Sequence, residues 1–310
     1  MRTLKDFNFS GKKVLVRCGF DVPFDEQGRI LDDKRIVESL PTLKCLLEYG
    51  AAIIIIAHNG RPDGQVIPRL SMDSVAKRLS SLLQRAVLKL NDCIGPMVEG
   101  KVSQINPGEV ILLENLRFHK EEKNGDESFA GKLASSADIL VQDAYPNAHH
   151  SDASMTLIPK YLPSCAGLSL EKELKYMKSL TQNPKTPYVA IIGGAKAEKL
   201  LVIQNLLQKA DQVIIGGVLA NTFLKAKGVD IKGSKYDENS LKAAKKLVDD
   251  QKIVLPEDAV AGDKMDAKAQ SAVVDFETLP AEWMILDIGP KTIAQYKEVL
   301  GKAKTVVWCG

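Results

Sequence analysis

The sequence predicts an α/β protein of two doubly wound parallel-sheet lobes joined by a hinge helix. Three observations carry this. Short apolar runs alternate with amphipathic stretches along the whole chain, the pattern of strands connected by helices. The runs lack a polar alternate face, as strands covered on both sides do. The alternation breaks once, at the polar helix Leu170-Glu-Lys-Glu-Leu-Lys-Tyr-Met-Lys-Ser-Leu180 and the Asn183-Pro-Lys-Thr-Pro187 that follows.

In order, a strand is expected near 13–17, a helix near 34–49, a strand near 52–57, a helix near 71–85, a strand near 110–113, a helix near 126–136 and a strand near 138–142. After the break, strands follow near 188–192, 212–215, 253–255, 283–286 and 305–308. The expected domains are an N-terminal lobe over 1–168, a hinge helix over 169–184 and a C-terminal lobe over 185–310. A chain of 310 residues with 45% hydrophobic content can bury two cores.

Charge is nearly balanced, 42 Lys and Arg against 39 Asp and Glu, and no basic stripe interleaved with aromatics points to nucleic acid. The longest uncharged hydrophobic run, 51–57, is too short to cross a bilayer. The N-terminus has no apolar segment of signal-peptide length. The five cysteines are odd in number and lack Cys-x-x-Cys spacing, which argues against a disulfide framework and a zinc site and fits a reducing, cytoplasmic setting. The spacing of the four histidines, His58, His119, His149 and His150, matches no metal site.

Three strands run into loops that carry arginine: Val14-Leu-Val-Arg-Cys-Gly-Phe-Asp-Val-Pro23, Ile53-Ile-Ile-Ile-Ala-His-Asn-Gly-Arg-Pro62 and Val110-Ile-Leu-Leu-Glu-Asn-Leu-Arg-Phe-His119. Parallel sheets present ligand-binding groups at such strand ends. Arg17, Arg35, Arg61 and Arg117, with His58 and His119 beside them, therefore predict a cationic cluster, because guanidinium forks grip carboxylate or phosphate with paired hydrogen bonds. The plainer reading of each is a surface arginine in a scattered ion pair.

In the second lobe, Tyr188-Val-Ala-Ile-Ile-Gly-Gly-Ala-Lys-Ala-Glu-Lys199 reads as strand, Gly-rich turn and lysines at a helix start, a pattern that suits phosphate or is merely a tight turn. It is neither a Walker A loop nor Gly-x-Gly-x-x-Gly. Gly216 and Gly217 repeat the glycine pair, where a flat ring could approach the backbone or a helix could pack close to a strand. In Leu286-Asp-Ile-Gly-Pro-Lys-Thr292, Lys291 or Thr292 could meet phosphate, or the segment is a plain turn.

Taken together these segments resemble the phosphoglycerate kinase family from Val14 to Gly310. The matching runs agree in order: Arg17 to Pro23, Asp32-Asp-Lys-Arg35, His58-Asn-Gly-Arg-Pro62, Asp92-Cys-Ile-Gly-Pro96, Glu114 to His119, Tyr161-Leu-Pro-Ser164, Gly193-Gly-Ala-Lys196, Leu286 to Thr292 and Lys304-Thr-Val-Val-Trp308. The resemblance implies Rossmann-like lobes and Mg²⁺-dependent, reversible phosphoryl transfer between 1,3-bisphosphoglycerate and ADP, giving 3-phosphoglycerate and ATP. It implies catalytic roles for Arg35 and Lys196. It implies a phosphoglycerate site at Gly19, Phe20, Asp21, Arg35, His58, Asn59, Gly60, Arg61, Arg117 and His150. Gly193, Gly194, Lys196, Lys199, Gly216, Gly217 and Gly289 would surround ATP or ADP, no protein side chain is assigned to a metal, and a monomer is expected.

The chain departs from the family pattern at several places. Gly19 and Asp21 stand where relatives read Asp and Asn, His150 where they have a phosphate-binding Arg, Asp152 where they have His, and Cys309 where they have Asn. Asn59 replaces an apolar residue, and the loop after Lys196 is one residue short. The resemblance also implies that relatives continue past the position of Gly310, so the nucleotide lobe is expected to be incomplete. Two readings compete: an active kinase, or a degenerate relative that keeps the fold and binds an anion or nucleotide. A nicotinamide-dependent dehydrogenase is disfavoured by the missing Gly-x-Gly-x-x-Gly.

Overall fold

The computed structural model describes residues 1–135, 137–194 and 199–309. The chain divides into two compact units, Met1–Met177 and Lys178–Gly310.

The first unit holds a six-stranded parallel sheet of β1 (Lys13–Arg17), β2 (Ala52–Ile56), β3 (Val87–Lys89), β4 (Val110–Leu112), β5 (Ile139–Gln142) and β6 (Ser164–Ala166), in the order β3-β4-β2-β1-β5-β6. Its helices are α1 (Lys34–Glu48), α2 (Asp73–Leu83), α3 (Pro96–Ser103), α4 (Lys120–Asn124), α5 (Glu127–Ala134), α6 (Ala153–Thr156) and α7 (Ile158–Tyr161), and α8 (Leu168–Gln182) starts in it and carries the chain past Met177. Strand alternation sends successive side chains to opposite faces. Val14, Val16, Ile53, Ile55 and Leu112 pack with Leu43 and Leu46 of α1 and Val75 and Leu79 of α2. Leu15, Ile54, Ile56 and Ile111 pack with Val98 and Val102 of α3 and Phe129 and Leu133 of α5. Burial on both faces explains why these strands read as unbroken apolar runs. The short β3 and β6 and helix α3 were not legible, since three-residue strands carry little periodicity.

β1 pairs with β2 on one side and β5 on the other, Val16 facing both Ile55 and Val141. The chain winds outward in both directions from this pair, so β1 and β5 flank the point where strand order reverses. Ligands bind beyond the carboxyl ends of strands at such points.

Helix α8 is fastened by a buried carboxylate. Asp143, 2% exposed at the end of β5, accepts hydrogen bonds from Ser169 N at 2.9 Å and Leu170 N at 3.2 Å. Leu168 N donates to Thr42 Oγ1. A Cβ on Gly167 would lie 2.3 Å from Asp143 Oδ1, so glycine is required for the carboxylate to reach the helix start. Burial pushes the Asp143 pKa up to about 7, although the Leu170 and Ser169 amides oppose the shift. A carboxyl raised above its unfolded value contributes stability that is present below about pH 4 and lost as pH rises through about 7. Asp143→Asn keeps an acceptor for the helix but cannot ionise. Its stability relative to the parent is expected to rise by on the order of 1 kcal/mol per pH unit between about 4 and 7, measured by urea unfolding across that range. Parallel curves would remove Asp143 as the titrating group.

The second unit holds two sheets. Strands β7 (Tyr188–Ile192), β8 (Gln212–Ile215), β9 (Ile253–Val254) and, at the other edge, β13 (Thr305–Cys309) form a parallel sheet in the order β13-β7-β8-β9. Between β9 and β13 the chain forms β10 (Asp258–Gly262), β11 (Ser271–Asp275) and β12 (Met284–Ile288), an antiparallel sheet with β10 in the middle. The strand expected near 283–286 therefore exists but pairs with β10. Its β11 partner is too polar and exposed to stand out in the sequence. Helices α9 (Lys199–Leu207), α10 (Gly217–Ala226), α11 (Glu238–Leu247) and α12 (Pro290–Lys302) complete the unit. Ala190, Ile192, Val213 and Ile215 pack with Ile203 of α9 and Phe223 of α10 in its core.

Candidate active site

Beyond the carboxyl ends of β1, β2, β4 and β5, four loops meet. Asn59, 2% exposed, donates through Nδ2 to Phe20 O at 3.0 Å and Val22 O at 3.1 Å, tying the loop after β2 to the loop after β1. Asn115 Nδ2 donates to Asn59 O and Leu70 O, adding the loop after β4. Asn59 and the fully buried Phe20 thus act as joints of the rim. Gly60, at φ 65°, presents its N–H to Asp21 Oδ1 at 2.9 Å and its carbonyl to Arg117 Nη1 at 3.0 Å.

The arginines divide into two kinds. Arg17 is fully buried and shares the face of Leu15, because it is still inside β1. It donates from Nε to Ser154 Oγ at 2.9 Å, from Nη2 to His58 Nδ1 at 2.8 Å, and from Nη1 to Cys18 O. Ser154 donates hydrogen bonds from its hydroxyl to Glu122 Oε1 at 2.5 Å and from its N–H to Glu122 Oε2 at 2.9 Å. Arg17 is therefore not one of the exposed ligand-facing cations that its place in the sequence suggested. His58 is 1% exposed and accepts at Nδ1. Burial, with Arg17 and Arg117 nearby, pushes its pKa down to about 2, so its ring is neutral.

Arg117, Arg35, Arg61 and His150 form the second kind. Arg117 is 5% exposed; its Nη2 pairs with Asp152 Oδ2 at 3.3 Å, while Nε has no acceptor among the described residues. Arg35, at the start of α1 and half-exposed, donates from Nη1 to Asp21 O at 2.7 Å and lies 3.5 Å from Asp21 Oδ2. Arg61 is exposed and follows Gly60. His150, half-buried, stacks at 4.1 Å on exposed His149; burial holds its pKa down, against the pull of Asp152. The positive charges of Arg117, His150 and Arg35 each help hold the His58 pKa down. Gly19 is buried among Pro146, Ala144 and Asn147. His119 pairs instead with Asp92. The sequence could not show that Asp21 and Asp152 each pair with one of these arginines.

In the second unit the two glycine pairs meet. A Cβ on Gly217, at φ 61°, would come 3.2 Å from Gly194 N, Leu219 N donates to Gly194 O, and Gly216 N donates to Ile192 O. The glycines thus let two strand-to-helix loops touch, and a Cβ on Gly216 would meet open space among the described residues. Lys199 Nζ donates to Gly193 O. Lys196 lies outside the described residues. An apolar cavity of about 170 Å³ beside Gly217 is lined by Val218, Asn221, Phe276 and Leu286 among others.

The start of α12 is already filled. Asp258, 1% exposed, accepts from Lys291 N at 3.0 Å, Thr292 N at 2.8 Å and Thr292 Oγ1 at 2.7 Å. A Cβ on Gly289 would sit 2.3 Å from the Asp258 carboxylate. The protein's own anion occupies the place where Lys291 and Thr292 were expected to meet a phosphate, and Gly289 makes room for that anion.

The fold is Rossmann-like, and the chain is that of a phosphotransferase by its relatives. The chain matches the phosphoglycerate kinase profile over residues 4–310. It is 47% identical to the phosphoglycerate kinase of Moorella thermoacetica over 99% of this chain and 80% of that protein, and 44% identical to that of Pelotomaculum thermopropionicum over 100% and 80%. Solved phosphoglycerate kinases from Coxiella burnetii and Pyrococcus horikoshii match 99% of this chain with TM-scores of 0.84 and 0.86, at 34% and 32% identity, covering 79% and 80% of those chains. The chain belongs to the phosphoglycerate kinase family, whose members are phosphotransferases of glycolysis.

Proposed function

We propose that the rim of the first unit binds 3-phosphoglycerate and 1,3-bisphosphoglycerate, and that Arg35 steadies the phosphoryl group passing to or from ADP. The carrying observation is Arg117. It is a nearly buried guanidinium whose Nε lacks an acceptor among the described residues, and Gly60 and Asp21 link it to Arg35. A buried donor without a partner is costly, and an anion oxygen would satisfy it. The backbone at Gly193, Gly194, Gly216 and Gly217 suits nucleotide phosphates, with Lys196 and Lys199 assigned to the same group, and the apolar cavity beside Gly217 suits a base. Mg²⁺ would neutralise charge on those phosphates when bound with them. Phosphoryl transfer asks little covalent chemistry of the protein; positioning and cations suffice. A monomer in the cytoplasm remains part of this reading, supported by the family's soluble glycolytic role; among the described residues no helix is long and apolar enough to cross a membrane.

One feature of the rim favours the weakened-relative reading: Asp21 and Asp152 pair with Arg35 and Arg117, so two cations meant for the ligand face internal acids. Each acid also repels a trianionic ligand. The test is a coupled assay of the purified chain with 3-phosphoglycerate, Mg²⁺ and ATP, with calorimetric titration of each ligand on the same preparation. Turnover is expected, with weak binding of 3-phosphoglycerate. Asp21→Asn and Asp152→Asn are each expected to tighten that binding by about tenfold, since both keep a hydrogen-bonding oxygen and remove the charge. Binding of nucleotide without turnover, unchanged in both variants, would favour the binder.

A further inference from the structure

Two loops that the phosphoglycerate reading leaves unused bring three metal-ligating side chains together. Asp92 and Cys93 lie in the loop after β3, and His119 caps the start of α4 beyond β4. Among the described residues they form a group whose ligand atoms all lie within 4.8 Å of one another. His119 Nε2 and Asp92 Oδ1 are 2.7 Å apart. Cys93, 2% exposed, donates its S–H to Glu114 O at 2.9 Å. The His119 ring is held against Phe129, centroids 5.1 Å apart.

We propose that Asp92, Cys93 and His119 form a zinc site, with a water as the fourth ligand. Zinc takes thiolate, imidazole and carboxylate in tetrahedral geometry. At Zn–S and Zn–N lengths of about 2.3 and 2.0 Å the donor atoms stand roughly 3.5 Å apart, so the cluster must contract by only about 1 Å to close on an ion. The thiol proton leaves to solvent as the S–Zn bond forms, and the Nε2 proton that His119 shares with Asp92 moves by way of solvent to Nδ1 as the N–Zn bond forms, so that the hydrogen bond is replaced by a shared ion. The donor set excludes the magnesium of phosphoryl transfer, which prefers oxygen ligands.

The three residues come from two loops that are 26 positions apart in the chain (92 and 93 against 119), which is why residue spacing gave no metal signal. Asp92 is half-exposed and opens the site to solvent, whereas Cys93 and the Phe129-backed His119 give it a fixed floor.

The test starts from protein stripped with chelator and titrated with Zn²⁺ by calorimetry and with Co²⁺ by absorbance. One ion per chain is expected, with tetrahedral cobalt bands and a thiolate charge-transfer band in the near ultraviolet. Cys93→Ser should abolish that band and Cys309→Ser, at the exposed cysteine, should retain it. Asp92→Asn, on the exposed side and harmless to packing, should weaken Zn²⁺ by more than about tenfold, the size of change that even outer-sphere partners produce. His149→Ala with His150→Ala should leave the stoichiometric ion in place. Absence of binding, or binding unchanged in both Asp92→Asn and Cys93→Ser, would overturn the assignment.

Discussion

Replacing Arg35 by alanine is expected to lower kcat for phosphoryl transfer by about 10³- to 10⁵-fold, the range found when a guanidinium that stabilises transferring phosphoryl charge is lost. Affinity for ADP should stay within about twofold, a change worth under ~0.5 kcal/mol, because the nucleotide is assigned to the glycine loops of the other unit. The geometry explains why the loss should fall on kcat. Arg35 is half-exposed at the first turn of α1, and among the described residues Nη1 alone is engaged, by the carbonyl of Asp21 at 2.7 Å and its carboxylate at 3.5 Å. Those contacts aim the fork, and Asp21→Asn would free it further for a ligand. A group that meets charge only as it develops acts on the transition state. Arg35→Lys restores charge without the fork and should recover part of the rate. Steady-state kinetics with both substrates, alongside ADP titration, separates the outcomes. Parent-like turnover in Arg35→Ala would assign Arg35 to the packing of the Asp21 loop instead.

How much of this site the sequence revealed depended on where each residue stands relative to a strand end. His58, Arg61 and Arg117 follow their strands, so an apolar run breaking into polar residues marked them as candidates, and the structure places His58 and Arg117 in the loops beyond β2 and β4. Arg17 has the same local appearance, but β1 extends through it, and alternation sends its side chain inward beside Leu15. One residue of register separates a ligand-facing cation from a buried one. Asp152 lies 35 positions from Arg117, and Glu122 lies 32 from Ser154; such partners meet only through the fold. The parallel sheets were legible because burial on both faces leaves long apolar runs. The antiparallel trio was not, since β11 is mostly exposed and its pattern is that of a loop. In the second unit the glycine pairs were marked but their meaning was split. They allow two loops to touch, with Gly217 close against Gly194. At Gly289 the plainer turn reading is closer, because Asp258 fills the helix start.

The buried relay from Arg17 through Ser154 to Glu122 supports the second large prediction, which concerns stability. Glu122→Leu alone is expected to destabilise the chain by about 3–5 kcal/mol, as breaking one side of a buried charge pair does. Arg17 would keep its bonds to His58 and to Cys18 O but lose the negative field that offsets its own burial. Both charges show that this offset is incomplete. Burial raises the Glu122 carboxyl despite Arg17 and the Ser154 donors, and burial lowers the Arg17 guanidinium despite Glu122 and Asp152. Desolvation therefore exceeds mutual attraction at each end. Removing both charges should for that reason cost much less than the sum of removing each. Arg17→Met with Glu122→Leu is expected to lie closer to the parent than Glu122→Leu alone, with a coupling of about 2–3 kcal/mol, read from urea midpoints by circular dichroism. Additive losses would mean that the two residues stabilise the rim independently. The coupled result would mean that the pair is retained for what it positions: His58, held neutral and buried beyond β2, and Ser154, two residues along from Asp152 at the start of α6.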